Sequence, residues 1–197
     1  MGDVISLRAS VSRVQTQTLD SAAFEELYST YLPKVYNYVC YRVGDESTAE
    51  DITAEIFERV LTHLHTYRSD RGAFSTWLFR IARNLVANHL RARGRRPEVH
   101  SLESLPQLAV SQLTAGDVSP EQAAIEADQL RRVQAHMRKL PKRQQEVLAL
   151  KFGGGLGNQE LARAMRLKPN HVGVLLHRAV RTLRLALEEE GEEEVKE

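Results

Sequence analysis

Phe74-Ser75-Thr76-Trp77-Leu78-Phe79-Arg80-Ile81-Ala82-Arg83-Asn84-Leu85-Val86-Ala87-Asn88-His89-Leu90-Arg91 is the stretch on which the fold turns. Phe74, Trp77, Leu78, Ile81, Leu85 and Leu90 recur at the spacing of one face of an α-helix. Arg80, Arg83, His89 and Arg91 supply a basic side. Such a helix buries one side and presents the other to water or to a partner. At this spacing Trp77 reads as a packing residue before it reads as a stacking platform.

Upstream, Tyr67 to Gly72 is polar and reads as a loop. Before it, Ile52, Ile56, Phe57, Val60, Leu61 and Leu64 predict a helix, with Ser47 and Glu50 read as its capping box. An earlier helix begins at Asp20 and carries Phe24, Leu27, Tyr28, Tyr31, Val35, Tyr38 and Val39. Pro33 falls inside it and predicts a kink or a split. Residues 1–19 show no sustained period and read as a flexible arm. The three helices form a domain over 20–96.

Downstream, residues 97–119 hold Pro106, Gly116 and scattered Ser and Thr without periodicity, as a flexible linker does. Ser119-Pro120-Glu121-Gln122 then opens a helix, with an N-cap, proline at the first helical position and a capping-box Gln. Helices are expected at 120–139, 141–152, 158–165 and 169–187. No strand-like alternation stands out. The expected fold class is all-α: two helical domains joined by a linker, the second (120–187) ending in a helix-turn-helix, with an acidic tail at 188–197.

The chain has 197 residues, 42% hydrophobic and 27% charged, with a formal net charge of +1. That small value conceals a division. The tail carries seven glutamates and one lysine. Seven arginines lie between Asp70 and Glu98 with no acid among them, and from Arg131 to Leu187 there are thirteen Lys or Arg against only Glu146 and Glu160. Two basic blocks suggest a polyanionic partner, although solvated helix faces look the same by charge alone. The tail either solvates the chain or mimics DNA charge by folding back on the basic recognition face. With a single cysteine, Cys40, and no apolar run long enough to span a bilayer, the reading is cytoplasmic, without membrane insertion.

Leu161, Ala162 and Met165 form one short apolar face, and Val172, Leu176, Ala179, Leu183 and Leu187 another. So brief a turn makes the second helix cross the first, free to enter a major groove. Lys168, Asn170 and His171 stand at its leading end; Arg178, Arg181 and Arg184 can reach phosphates. Arg166 occupies the turn position where glycine would be comfortable. Gly173-Val174-Leu175 is unusually apolar for a reading helix; Val174 or Leu175 can pack on a thymine methyl or on a partner, with core burial the favoured expectation.

Enzymatic signatures are lacking. His63 and His65, two apart on a helix, cannot chelate one metal ion. Gly153-Gly154-Gly155 lacks the lysine and hydroxyl of a nucleotide-binding loop and reads as a flexible turn. No cofactor, metal or small-molecule substrate is expected, and the chain does not read as an enzyme.

Several of these runs resemble a known family. Ala49-Glu50-Asp51-Ile52 with Glu55 and Phe57 resembles the polymerase-binding helix of region 2 of bacterial sigma factors, and Phe74 to Asn84 resembles its promoter-melting helix. Leu140-Pro141-Lys142-Arg143-Gln144-Gln145-Glu146-Val147-Leu148 and Leu176-His177-Arg178-Ala179 resemble the start and end of region 4. The resemblance covers roughly 24–97 and 120–187, with no room for the extra regions of housekeeping sigma factors, so it points to the extracytoplasmic-function group.

The resemblance implies a factor that directs core RNA polymerase to promoters and helps melt the minus-ten element. It implies polymerase docking through Glu50, Asp51 and Glu55, with Ile52 and Phe57 facing the core. Minus-ten contacts would come from Tyr67, Arg68, Trp77, Arg80, Arg83, Asn84, His89 and Arg91, with Tyr67 and Asn84 lining a pocket for a flipped base. Minus-thirty-five contacts would come from Gln159, Arg163, Lys168, Asn170, His171, Arg178 and Arg181. An anti-sigma factor is the implied control partner. The competing readings are an ordinary helix-turn-helix regulator, which leaves the first domain unexplained, and a protein-interaction bundle, which leaves both basic blocks idle.

Overall fold

The computed structural model describes residues 21–93 and 119–194. The expected arm, the linker up to Val118, and residues 195–197 of the tail lie outside the described residues. Every regular element within them is helical.

Helix α1 (Ser21–Val43) runs through Pro33 in one piece rather than splitting there. The run Val35 to Cys40 just beyond the proline is buried, so packing holds the helix where local chemistry would interrupt it. Helix α2 (Glu46–His63) is not capped by Ser47. Its N-cap is Asp45, whose carboxylate accepts the Thr48 N–H at 3.0 Å. Two 3-10 turns, Leu64–Thr66 and Ser69–Arg71, lead to α3 (Phe74–Arg93). Ile52, Ile56, Phe57 and Val60 of α2 and Leu78, Ala82 and Leu85 of α3 are buried together with Val35, Tyr38 and Val39 of α1. Tyr28 meets the Phe57 ring edge-on at 4.8 Å.

The second module begins as expected. The Ser119 hydroxyl accepts the Gln122 N–H, and Pro120 opens α4 (Pro120–Lys139). Helix α5 (Lys142–Leu148) continues into a π-helical turn, Ala149–Gly153. Then come α6 (Asn158–Met165) and α7 (Pro169–Glu194). Helix α7 therefore extends seven residues past the expected end and takes in most of the acidic tail. Its tail segment does not fold back on the leading end of the helix. A 26-residue helix is about 39 Å long, so Glu190 lies far from Lys168. Glu190 instead bonds His136 Nε2 at 2.8 Å and Arg132 Nε at 3.3 Å on α4, and that hydrogen bond from His136 holds its carboxyl below the usual value.

The two modules bury their apolar residues in one continuous core. The π turn packs against α1, and α6 packs against α3. Leu161, Ala164 and Leu156 of the second module are sealed from solvent as completely as Leu78 and Phe79 of the first.

Candidate nucleic-acid and polymerase interfaces

Helix α3 presents three kinds of surface. Phe74, Leu78 and Leu85 face the first module's interior, and Phe79, Ala82 and Val86 are also buried. Arg80, Asn84 and Arg91 are exposed. This is the division expected of a helix with an apolar side and a basic side. His89 is half-buried.

Arg83 is placed differently from its neighbours. It is half-buried, and its Nε donates to Glu146 Oε1 at 3.0 Å while Nη1 donates to the Ala164 carbonyl. In this arrangement its guanidinium is occupied by the second module.

Beside the N-terminal end of the basic face lies a cleft of about 180 Å³, lined by Thr66, Tyr67, Arg68, Gly72, Ala73, Thr76, Trp77 and Arg80. Tyr67 is buried and donates its hydroxyl to the Gly72 carbonyl at 3.0 Å. At φ +151° Gly72 takes a backbone conformation that L side chains rarely adopt. Trp77 packs on Tyr67 and Phe74, with ring centroids 5.6 Å away in each case, and one side of it lines the cleft. The cleft brings Tyr67, Arg68, Trp77 and Arg80 together. Asn84 is not part of its lining. Thr66 and Thr76 line it and were not singled out from the sequence, because hydroxyls in a loop and a first helical turn carry no distinguishing pattern. Arg68 pairs with Asp70 at 3.3 Å, both exposed.

On α2, Glu50, Asp51 and Glu55 are exposed on one side, while Ile52 and Phe57 are buried as expected. Glu55 pairs with Arg59 at 2.8 Å, one turn on. Exposed Leu61 and Tyr28 add apolar surface to the same module.

In the helix-turn-helix, Gln159, Arg163, Lys168, Asn170, His171, Arg178 and Arg181 are all exposed. The turn passes through Arg166 at φ 55° and ψ 46°, the left-handed conformation that favours glycine. The Glu160 side chain accepts the Gly157 N–H at 3.0 Å, capping α6. Val174 departs from expectation. It is 50% exposed rather than buried, while Leu175 packs partly on the core. The core beneath α7 takes only one stripe of the helix, through Val172 and Ala179, and Val174 lies off it.

Among the described residues no group of His, Cys, Asp and Glu could hold a metal ion, and no helix is long and apolar enough to cross a membrane. Cys40 is buried, which pushes its thiol up to about 12. Such a thiol is a poor nucleophile.

Comparison with known proteins accounts for both modules. The sigma-70 region 2 family model matches residues 27–96 and the sigma-70 region 4 model residues 130–183. The chain is 39% identical over 173 residues to the ECF RNA polymerase sigma factor BldN of Streptomyces coelicolor, covering 88% of this chain and 62% of that protein's length. It is 32% identical over 180 residues to the ECF sigma factor SigW of Bacillus subtilis, covering 88% of this chain and 93% of SigW. Among solved structures, the Bartonella quintana sigma factor RpoE, in complex with the anti-sigma factor NepR, aligns with a TM-score of 0.66 at 18% identity, over 84% of this chain and 96% of that one. CnrH, in complex with the cytosolic domain of CnrY, aligns at 0.67 and 20% identity, over 93% and 98%. These two establish the shared helical fold. The region 2 match covers the module that a stand-alone helix-turn-helix regulator leaves unexplained. The chain therefore belongs to the extracytoplasmic-function sigma factors, the non-enzymatic specificity factors of promoter-directed transcription initiation.

Proposed function

We propose that this sigma factor docks on core RNA polymerase through Glu50, Asp51 and Glu55 and captures an unpaired minus-ten base in the cleft between Tyr67, Arg68, Trp77 and Arg80. The observation that carries this is the juxtaposition of that aromatic-walled cleft with the exposed cations Arg80 and Arg91 on one helix. Promoter opening requires single-stranded bases to be held better than paired ones. Stacking and enclosure contribute about 1–3 kcal/mol per base, and backbone cations hold the strand in register. Asn84 and His89 extend the same helix as backbone contacts, and Arg83 joins them once released from Glu146.

The domain division is 20–96 for polymerase and minus-ten binding and 120–187 for the minus-thirty-five element, with 97–119 as the connection between them. Lys168, Asn170 and His171 lead α7 into the major groove, with Arg178 and Arg181 on phosphates and Gln159 and Arg163 steadying the approach. The chain works in the cytoplasm, where the polymerase and the genome are. An anti-sigma factor is the expected regulator, by analogy with the RpoE–NepR and CnrH–CnrY complexes.

The deciding experiment measures one-to-one binding to purified bacterial core polymerase for the wild-type chain, Asp51→Arg and Glu55→Arg. Both reversals should weaken the complex at least tenfold while leaving helicity unchanged. Wild-type affinity in both variants would overturn the docking assignment.

A further inference from the structure

Over its first four turns, the outward face of α7 is polar and basic except at one point. At 3.6 residues per turn, Val172, Ala179 and Leu183 fall on one side of the helix and Val174 on the opposite side. Val172 and Ala179 are fully buried, Leu183 packs partly on the core, and Val174 is 50% exposed. Asn170, His177, Arg178 and Arg181 share the side of Val174, and all are exposed. The helix therefore carries an isopropyl group at the centre of the surface with which it enters a major groove.

Single apolar residues on a protein surface are ordinary, and the surroundings of this one set it apart. Asn170 stands one turn before it and Arg178 one turn after it, side chains that bond base edges and phosphates. Beside it, Gly173 has nothing within 4 Å of where a Cβ would stand. The fold does not require glycine at that position, and glycine inside a helix is less favourable than alanine. What the bare backbone provides is room for another molecule to come close to Val174.

The chemistry of the groove narrows what that molecule offers. Every base edge there presents hydrogen-bonding atoms, and only thymine adds an apolar group, its C5 methyl. An isopropyl group laid against guanine, adenine or cytosine covers donors or acceptors with nothing to bond them, which weakens binding. Against thymine it meets the methyl and leaves O4 open to water.

We propose that Val174 is a specificity-determining residue for the minus-thirty-five element, selecting thymine at one position through its methyl group, with Gly173 giving the base edge room to approach. The inference rests on the assignment of α7 to that element. Reading at this point is apolar, while Arg178 and Arg181 supply the salt-dependent, sequence-independent part of the contact.

The test uses holoenzyme reconstituted from bacterial core polymerase and the full chain. Duplexes are selected with it from a pool randomised across the upstream recognition segment. In a selected duplex, each thymine is replaced in turn by deoxyuridine, which removes the methyl and keeps the base pair. At one thymine, holoenzyme binding should weaken about fourfold, the worth of one buried methyl. With Val174→Ser, the thymine and uracil forms of that duplex should bind alike, with helicity unchanged because the position is exposed. The proposal is overturned if no replacement weakens wild-type binding, or if every methyl effect persists in Val174→Ser. It is also overturned if Val174→Ser weakens binding to core polymerase without DNA, which would make Val174 a protein contact. Arg178→Ala tests the underlying assignment separately: it should weaken all selected duplexes alike, and unchanged affinity would remove α7 from the DNA interface.

Discussion

At the scale of single residues, local backbone chemistry can be read off three positions. Asp45 caps α2 through the Thr48 hydroxyl and N–H, and these hydrogen bonds hold its carboxyl below the ordinary value. Asp45→Ala should cost about 1 kcal/mol. Because the folded value is the lower one, the cap's charge-dependent part is fully present above the unfolded carboxylate range, about pH 4. It is lost as pH falls through the folded value. Asp45→Asn should therefore flatten the acid limb of a thermal-unfolding series taken between neutral and acid pH. Gly173 lies inside α7 with nothing within 4 Å of where a Cβ would stand, and Arg166 holds a left-handed turn. Gly173→Ala should stabilise the chain by about 0.5–1 kcal/mol in urea unfolding. Arg166→Gly should be neutral to mildly stabilising, because relief of the left-handed strain is offset by glycine's freedom in the unfolded chain.

At the scale of elements, α7 joins two jobs that the sequence separates. Exposed Lys168 stands just before it, its first turn carries the exposed Asn170 and His171, and its far end carries Glu190 against α4. The acidic segment is thus a clamp between α4 and α7. Glu190→Gln should lower the melting temperature and reduce the clamp's sensitivity to salt, without changing affinity for a nonspecific duplex, since the recognition end lies far along the helix. A rise in duplex affinity would instead favour charge mimicry by the tail. Helix α3 was legible almost to the residue, because a strongly amphipathic helix prints its period on the sequence. The cap of α2 was not. Ser47 and Asp45 are both favoured N-cap residues, and only the path of the chain chooses between them.

At the scale of the whole molecule, the shared core has a thermodynamic consequence. Modules that bury Phe79, Leu161 and the Glu146 network against each other should unfold as one cooperative unit. Calorimetry of the free chain should show a single transition. Glu146→Lys should split it into two, because removing one partner of a shielded ion pair leaves Arg42 and Arg83 uncompensated. One unsplit transition in that variant would mean that the apolar contact suffices without the charge network.

The helical class, the two-module order, the basic and apolar sides of α3 and the family were all determined by the sequence itself. Each is carried by residues near one another along the chain, where spacing maps directly onto a helix face. The meeting of Glu146 with Tyr38, Arg42 and Arg83 was decided only by the tertiary structure, as was the seating of Gly153 and Gly154 on Tyr38 and Phe79. Those partners lie 63 to 108 residues apart in the Glu146 hydrogen bonds. No local period records such a pairing, and in the linear sequence Glu146 is only an acid inside a basic block.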